Sequence, residues 1–266
     1  MSSASGAKPA QEAETSRPFD PVSATSQRER PSGPARRVVL NADDLGYDPA
    51  VTRGIIESMR SGVVSSTTLM VNTPFTEDAT QQAAGLSVGL HLNLARWNSV
   101  SEPTRAFVES DTALLGADFV ERETHAQLSR LEVLLGRPAT HLDVHKHLHR
   151  LPNVLTGVIA AARSRRLAVR SPDEPIRAAL RAADIVTNDL MVGDADREAY
   201  WSLDTFEAQL RALPASGFIE LMCHPGYSPS NVKSGYGAQR EVELATFTSA
   251  RARALLDQLG VRFTSW

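Results

Sequence analysis

The sequence contains a single cysteine among 266 residues. No internal disulfide can staple the fold, so a reducing, cytoplasmic setting is the expectation. It contains no apolar run near the roughly 18 residues that a membrane helix needs, so no membrane span is expected. Charge of neither sign dominates. The net charge is −3, which leaves no broad basic field to attract nucleic acid or an anionic membrane. No glycine-rich loop resembles a phosphate cradle, and no G-x-S-x-G is present. Residues 1–34 have almost no large apolar side chains and lack the apolar middle of a secretory signal. Such a stretch buries too little surface to offset its ordering entropy. The expectation is a disordered tail over 1–35 and one folded domain over 36–266.

What is present reads as an ordinary globular chain, 42% hydrophobic and 22% charged, long enough for a sizeable core. From Arg37 onward, short apolar runs alternate with longer periodic ones. Strand candidates are 38–40, 65–71, 87–94, 140–145, 168–170, 185–187, 218–223 and 261–264. Helix candidates are 50–60, 74–84, 121–135, 152–165, 205–213 and one long helix over 241–259. Residues 95–118 read as an irregular excursion. Sustained strand–helix alternation predicts an α/β fold, an irregular (β/α) barrel of about seven to eight mostly parallel strands.

The polar clusters all fall at or near strand ends. N-A-D-D-L-G (41–46) follows the first strand, and G-L-H-L-N-L (89–94) is the third. H-L-D-V-H-K-H-L-H (141–149) runs off the fourth, and C-H-P-G (223–226) follows a later one. In a parallel barrel the C-terminal strand ends share one face, so these clusters would meet. Singly, each has an ordinary explanation. Asp43 and Asp44 can be a helix cap and a solvated acid. His91 can be a hydrogen-bonded core histidine. His224 can be a turn histidine before proline, or can pair with Glu220 four residues earlier on the same face to tune proton transfer.

The run His141, Asp143, His145, His147, His149 resists such a reading. Its period of two would place all five on one strand face. Stacked neutral imidazoles have no packing rationale, because each ring needs two hydrogen-bond partners. A metal explains them better, with Asp143 holding the far nitrogen of a ligand histidine. Pattern alone leaves five histidines open as ligands, and leaves the two aspartates interchangeable. Cys223 is not read as a nucleophile, since its neighbour His224 would point to the other face.

N-A-D-D-L-G, G-L-H-L-N-L, T-H-L-D-V-H-K-H-L-H and E-L-M-C-H-P-G-Y, in that order, resemble the YdjC-type carbohydrate deacetylases. That family includes chitooligosaccharide and hopanoid-associated glycosyl deacetylases. Ser234-Gly235-Tyr236, Gln239-Arg240-Glu241 and Glu243-Leu244 extend the likeness, which runs from about Arg37 to the C-terminus. The resemblance implies one divalent metal ion held by Asp44, His91 and His145, with Asp43 as general base and His224 as acid partner. It implies removal of an acetyl group from an N-acetylated sugar or oligosaccharide. Two imidazoles and a carboxylate suit zinc and other first-row ions, and suit magnesium less well; magnesium or zinc is expected. A homodimer is compatible with such a barrel. Two departures bear on the sugar. The segment between His91 and His141 is shorter than in many members, and V-R-S-P-D-E-P (169–175) is closer to the hopanoid-associated branch. The rival readings are another metal-dependent hydrolase on the same barrel (a phosphoesterase or amidohydrolase), with His147 or His149 serving a second metal, and a catalytically silent carbohydrate-binding protein.

Overall fold

The computed structural model describes residue 1 and residues 35–266. The tail expected over 1–35 lies, its two ends aside, outside the described residues. Strand β1 (Arg37–Leu45) carries V-V-L and then the polar N-A-D-D, and everything after Arg37 is buried. Burial on both faces marks a strand at the middle of a parallel sheet. Five more strands join it: β2 (Ser66–Leu69), β3 (Val88–Leu92), β4 (Leu142–Val144), β5 (Leu190–Val192) and β6 (Phe218–Cys223). All pair in parallel, in the order β4-β3-β2-β1-β6-β5.

The sheet curls. Val169 bridges Leu142 beside β4, and its N–H donates to Val186 O at 3.0 Å. Three residues past Val186, the Asp189 N–H donates to Phe218 O at 2.7 Å. Segment 186–192 therefore runs from Val169, which bridges β4, to the start of β6. This is the expected irregular α/β barrel, with six strands among the described residues in place of seven or eight. Residues 168–170 and 261–264 form single bridges only, Val169 to Leu142 and Phe263 to Val38. Strand β5 begins three residues beyond the expected 185–187.

Helices α1 (Pro49–Arg60), α2 (Thr76–Gln82), α3 (Ala117–Leu135), α4 (Pro152–Arg165), α5 (Glu174–Ala182), α6 (Leu203–Ala212), α7 (Ala238–Thr248) and α8 (Ala250–Leu259) connect the strands. Asp48 caps α1 through the Ala50 N–H, with proline in the first turn. Asp173 caps α5 in the same manner, a helix absent from the sequence reading. The expected long helix over 241–259 is two helices. Ser249 leaves helical geometry and accepts from the Ala252 N–H, which caps α8. Leu90, Leu92 and Leu142 join the apolar core, while the alternating His91 and Asp143 point into the barrel. None of the described helices is long and apolar enough to cross a membrane.

Candidate metal centre

Asp43 and Asp44 are adjacent, and on a regular strand they would face opposite ways. Two local features bring both into the site. The β1–β2 register slips between Ala42 and Leu45, and Asp44 adopts a left-handed backbone at φ 73°. A bulge of this kind re-aims side chains, and aspartate tolerates the left-handed region better than most residues. His91 reaches inward from β3. His145 follows β4 at the start of a 3-10 turn (His145–Arg150), whose Lys146 and His147 are also left-handed. The expected single face of five thus breaks at Val144. His141 stacks on Trp266, and His149 is buried against Arg170 O. His147 lines the cleft beside His145.

The three side chains converge closely. Asp44 Oδ1 lies 3.2 Å from His91 Nε2 and 3.3 Å from His145 Nδ1. The two ring nitrogens are 3.1 Å apart. Metal bonds of about 2.0–2.2 Å place donor atoms roughly 3 Å from one another, so this triangle has the dimensions of a ligand set. Asp44 Oδ1 is buried yet has no hydrogen-bond partner, an expensive state unless a cation meets it. The other oxygen, Oδ2, accepts from Arg240 Nη2 at 2.5 Å. Burial pushes the Asp44 carboxyl up, but Arg240 and the two histidines hold it well below its usual range. His91 Nδ1 lies 2.6 Å from Asp143 Oδ1, and Thr68 Oγ1 donates to Asp143 Oδ2. Burial pushes His91 down; Asp143 outweighs it and lifts the imidazole to about 10.

Beneath the triangle sits Arg170, fully buried. Its Nη1 and Nη2 donate to Asp43 Oδ2 and Oδ1 at 2.6 and 2.7 Å. The same guanidinium lies 2.8 Å from Asp143 and 2.6 Å from Glu220. Asn41 Nδ2 adds a bond to Asp43 Oδ1. A carboxylate offers about four acceptor sites; three on Asp43 are taken, which leaves one on Oδ2. Burial pushes Asp43 up, and Arg170 overcomes it and holds the carboxyl well below the ordinary range. Three carboxylates share one cation, so burial carries the last, Glu220, up to about 7. The expected Glu220–His224 pair does not form, because Glu220 belongs to Arg170.

His224 follows β6 and borders the cleft with Asp43 and Asp44. Its backbone N–H donates to Glu243 Oε2 at 2.6 Å. Tyr236 donates its hydroxyl to Glu243 Oε1 at 2.6 Å and packs edge-on against the imidazole. Burial, resisted by Asp43 and Asp44, pushes His224 down to about 4. Glu243 is carried up to about 7 by burial. All five expected site residues (Asp43, Asp44, His91, His145 and His224) line one cleft of about 640 Å³. Two residues that contact the site carboxylates were not anticipated. Arg170 stands at the end of a strand-like V-R followed by Ser-Pro, and Arg240 stands in the Gln239-Arg240-Glu241 stretch. A lone basic residue at a barrel strand end was the available signal for Arg170.

Comparison with known proteins bears on this site. Residues 37–258 match the family described as "YdjC-like protein". A carbohydrate deacetylase of Geobacillus stearothermophilus is 34% identical over 244 residues, covering 87% of this chain and 97% of that protein. A chitooligosaccharide deacetylase of Salmonella paratyphi B is 32% identical over 248 residues, covering 85% of this chain and 96% of that protein. Among solved structures, an Enterococcus faecalis protein proposed for cellobiose-phosphate cleavage superposes with a TM-score of 0.75 at 26% identity, covering 87% of this chain and 97% of that one. A lactam utilization protein of Thermus thermophilus shares the fold, with a TM-score of 0.57 at 15% identity, covering 86% of this chain and all of that one.

Proposed function

This chain belongs to the YdjC-like family, and on that premise we propose that it is a metal-dependent hydrolase removing the acetyl group from an N-acetylated sugar. The observation that carries the reading is the Asp44–His91–His145 triangle, with the unpartnered Asp44 Oδ1 at one corner and Asp43 beside it in an open cleft. The Geobacillus and Salmonella relatives supply the substrate class. A divalent cation held by these three residues would supply the Lewis acidity that amide hydrolysis needs, polarising the acetyl carbonyl and acidifying water. With two imidazoles among three donors, zinc suits the site better than magnesium.

The remaining steps belong to the chain itself. Arg170 favours the ionised form of Asp43, and the free acceptor site on Oδ2 can orient the attacking water and take its proton. Arg170 fixes that carboxylate from below, so the base does not rotate away. His224 borders the same cleft as Asp43 and would pass on to the departing sugar amine the proton that Asp43 takes from water. Glu243 holds the His224 backbone, and Tyr236 packs against its ring.

A two-metal phosphoesterase is disfavoured by one contact. The second acid–histidine group, Asp43–His91–Asp143, already holds a cation, since Arg170 Nη1 lies 2.6 Å from Asp43 and 2.8 Å from Asp143. The test is acetate release from a panel of N-acetylated sugars, before and after chelation, with metal added back. The reading expects activity that vanishes with chelation and returns at one ion per chain. No acetate from any sugar in the metal-loaded protein would overturn it.

A further inference from the structure

Glu123 lies on α3, lines no part of the cleft and is fully buried. Its carboxylate accepts from five donors, none of them a cation. Oε2 accepts from Ser99 Oγ at 2.5 Å, Ser101 N at 2.8 Å and Ser101 Oγ at 2.7 Å. Oε1 accepts from Val100 N at 2.9 Å and Gln127 Nε2 at 2.7 Å. Burying a carboxylate without a cation is costly, and four of the five bonds go to one short stretch of the loop that follows β3. That loop contains a strained residue. Trp97 has φ 63°, an outlier for a bulky side chain that persists only where its surroundings over-determine it. The loop also closes on itself, Phe107 N–H to Trp97 O and Ser99 N–H to Arg105 O.

The residue delivered to the cleft by this arrangement is Arg96. Its Nη1 donates to the Tyr47 hydroxyl at 3.0 Å and to Lys233 O at 3.2 Å, across to the far loop. The guanidinium sits 5.7 Å from the Tyr47 ring and 5.8 Å from the Trp97 ring. Trp97 meets Tyr47 edge-on, and Tyr47 lies 6.4 Å from His145. Tyr47 and Arg96 line the cleft beside the metal triangle, with Trp97 packed edge-on against Tyr47. The polar groups of this wall, the Arg96 guanidinium and the Tyr47 hydroxyl, match the hydroxyls that a sugar carries at its rim.

Resting on the deacetylase reading, we propose that Glu123 is a positioning residue for substrate: it clamps the loop so that Arg96 and Tyr47, backed by Trp97, hold the sugar unit next to the acetamido-bearing one.

The test uses metal-loaded wild type, Glu123→Gln, Arg96→Gln and the double variant, with N,N′-diacetylchitobiose and N-acetylglucosamine as probes. For the disaccharide, each single variant should raise KM about ten-fold while kcat falls less than three-fold. The double variant should be no worse than Arg96→Gln alone, since both act through one wall. KM for the monosaccharide should move less than two-fold. Amide exchange at Val100 and Ser101 should accelerate at least ten-fold in Glu123→Gln. Faster exchange with an unchanged disaccharide KM would reduce Glu123 to a purely structural role and overturn the proposal, as would unchanged exchange. If Glu123→Gln does not fold, Ser99→Ala/Ser101→Ala removes two donors and should move KM the same way. If wild type releases no acetate from any sugar, the deacetylase reading fails by itself. Disaccharide binding read by tryptophan fluorescence, in wild type against Glu123→Gln, then still decides the wall.

Discussion

Arg170 grips Asp43 in a fork, Nη1 on Oδ2 at 2.6 Å and Nη2 on Oδ1 at 2.7 Å, with both side chains buried. The same guanidinium serves Asp143, which in turn holds His91. One side chain thus fixes both the proposed base and, one step removed, a proposed ligand.

Arg170→Lys keeps the charge and loses the fork. A lysine ammonium is a point donor and cannot hold both carboxylate oxygens in one plane. Turnover should fall by about 10–100-fold through loss of orientation, with metal content near wild type. Arg170→Met leaves three acids without a cation and should cost roughly 3–5 kcal/mol of stability, as broken buried ion pairs do. Denaturant unfolding and steady-state acetate release check the pair. A fully active Arg170→Lys would show that Asp43 needs no fork.

Asp43→Asn and His145→Ala should fail in different ways. The asparagine keeps the volume of Asp43 and touches no corner of the triangle, so bound metal should stay at one ion per chain. It cannot take a proton, so turnover should drop by about 10²–10⁴-fold. His145→Ala removes a corner, and metal should be lost on dialysis. Elemental analysis alongside the activity assay separates the two. Asp43→Asn at near-normal rates on every active sugar would remove Asp43 as the base.

The strand-end clusters and the barrel class were legible because each is a local pattern: period-two alternation in G-L-H-L-N-L, a polar break after V-V-L, Pro-Gly after His224. Other features were not local. The slip in β1 and the left-handed Asp44 decide that two neighbouring carboxylates share a cleft, and nothing in N-A-D-D announces either. The His141–His149 run kept its period in sequence but not in space, because Lys146 and His147 turn left-handed directly after β4. Glu220 was matched with His224 by strand alternation. The actual partner, Arg170, lies 50 residues earlier in the chain, a distance that pattern cannot bridge. The break at Ser249 is a helix cap hidden in a run of helix-compatible residues.

Gly54 illustrates a constraint that helix propensity gets backwards. It sits in the middle of α1, where alanine would ordinarily gain about 1 kcal/mol. A Cβ there would stand 2.5 Å from Gly226 Cα, in the turn two residues after His224. Gly54→Ala should therefore destabilise by roughly 1–3 kcal/mol through overpacking. It should also lower turnover by displacing the His224 turn. Thermal unfolding and acetate release read the two effects, and a stabilised, fully active Gly54→Ala would mean that the turn yields freely.

Glu243 gives a pH signature with a definite sign. Burial lifts its folded pKa to about 7 from an ordinary 4.5, so the folded state binds this proton more tightly than the unfolded chain does. A group raised in this way contributes fully below its unfolded pKa, and the contribution is lost as pH climbs through the folded value. The window is about pH 4.5 to 7, and the loss amounts to as much as roughly 3 kcal/mol at its upper end. Glu243→Gln has no proton to lose. It still offers an acceptor to the His224 amide or the Tyr236 hydroxyl, though not the same pair of oxygens. Near pH 5 the variant should be the less stable protein, because wild type keeps both bonds with its proton in place. As pH rises to 8 the gap should narrow and can reverse. Chelated wild type and variant, unfolded by urea at pH 5, 6, 7 and 8, give the comparison directly. A gap independent of pH across that range would mean that Glu243 is ionised throughout, with Arg240 and the two hydrogen bonds outweighing its burial.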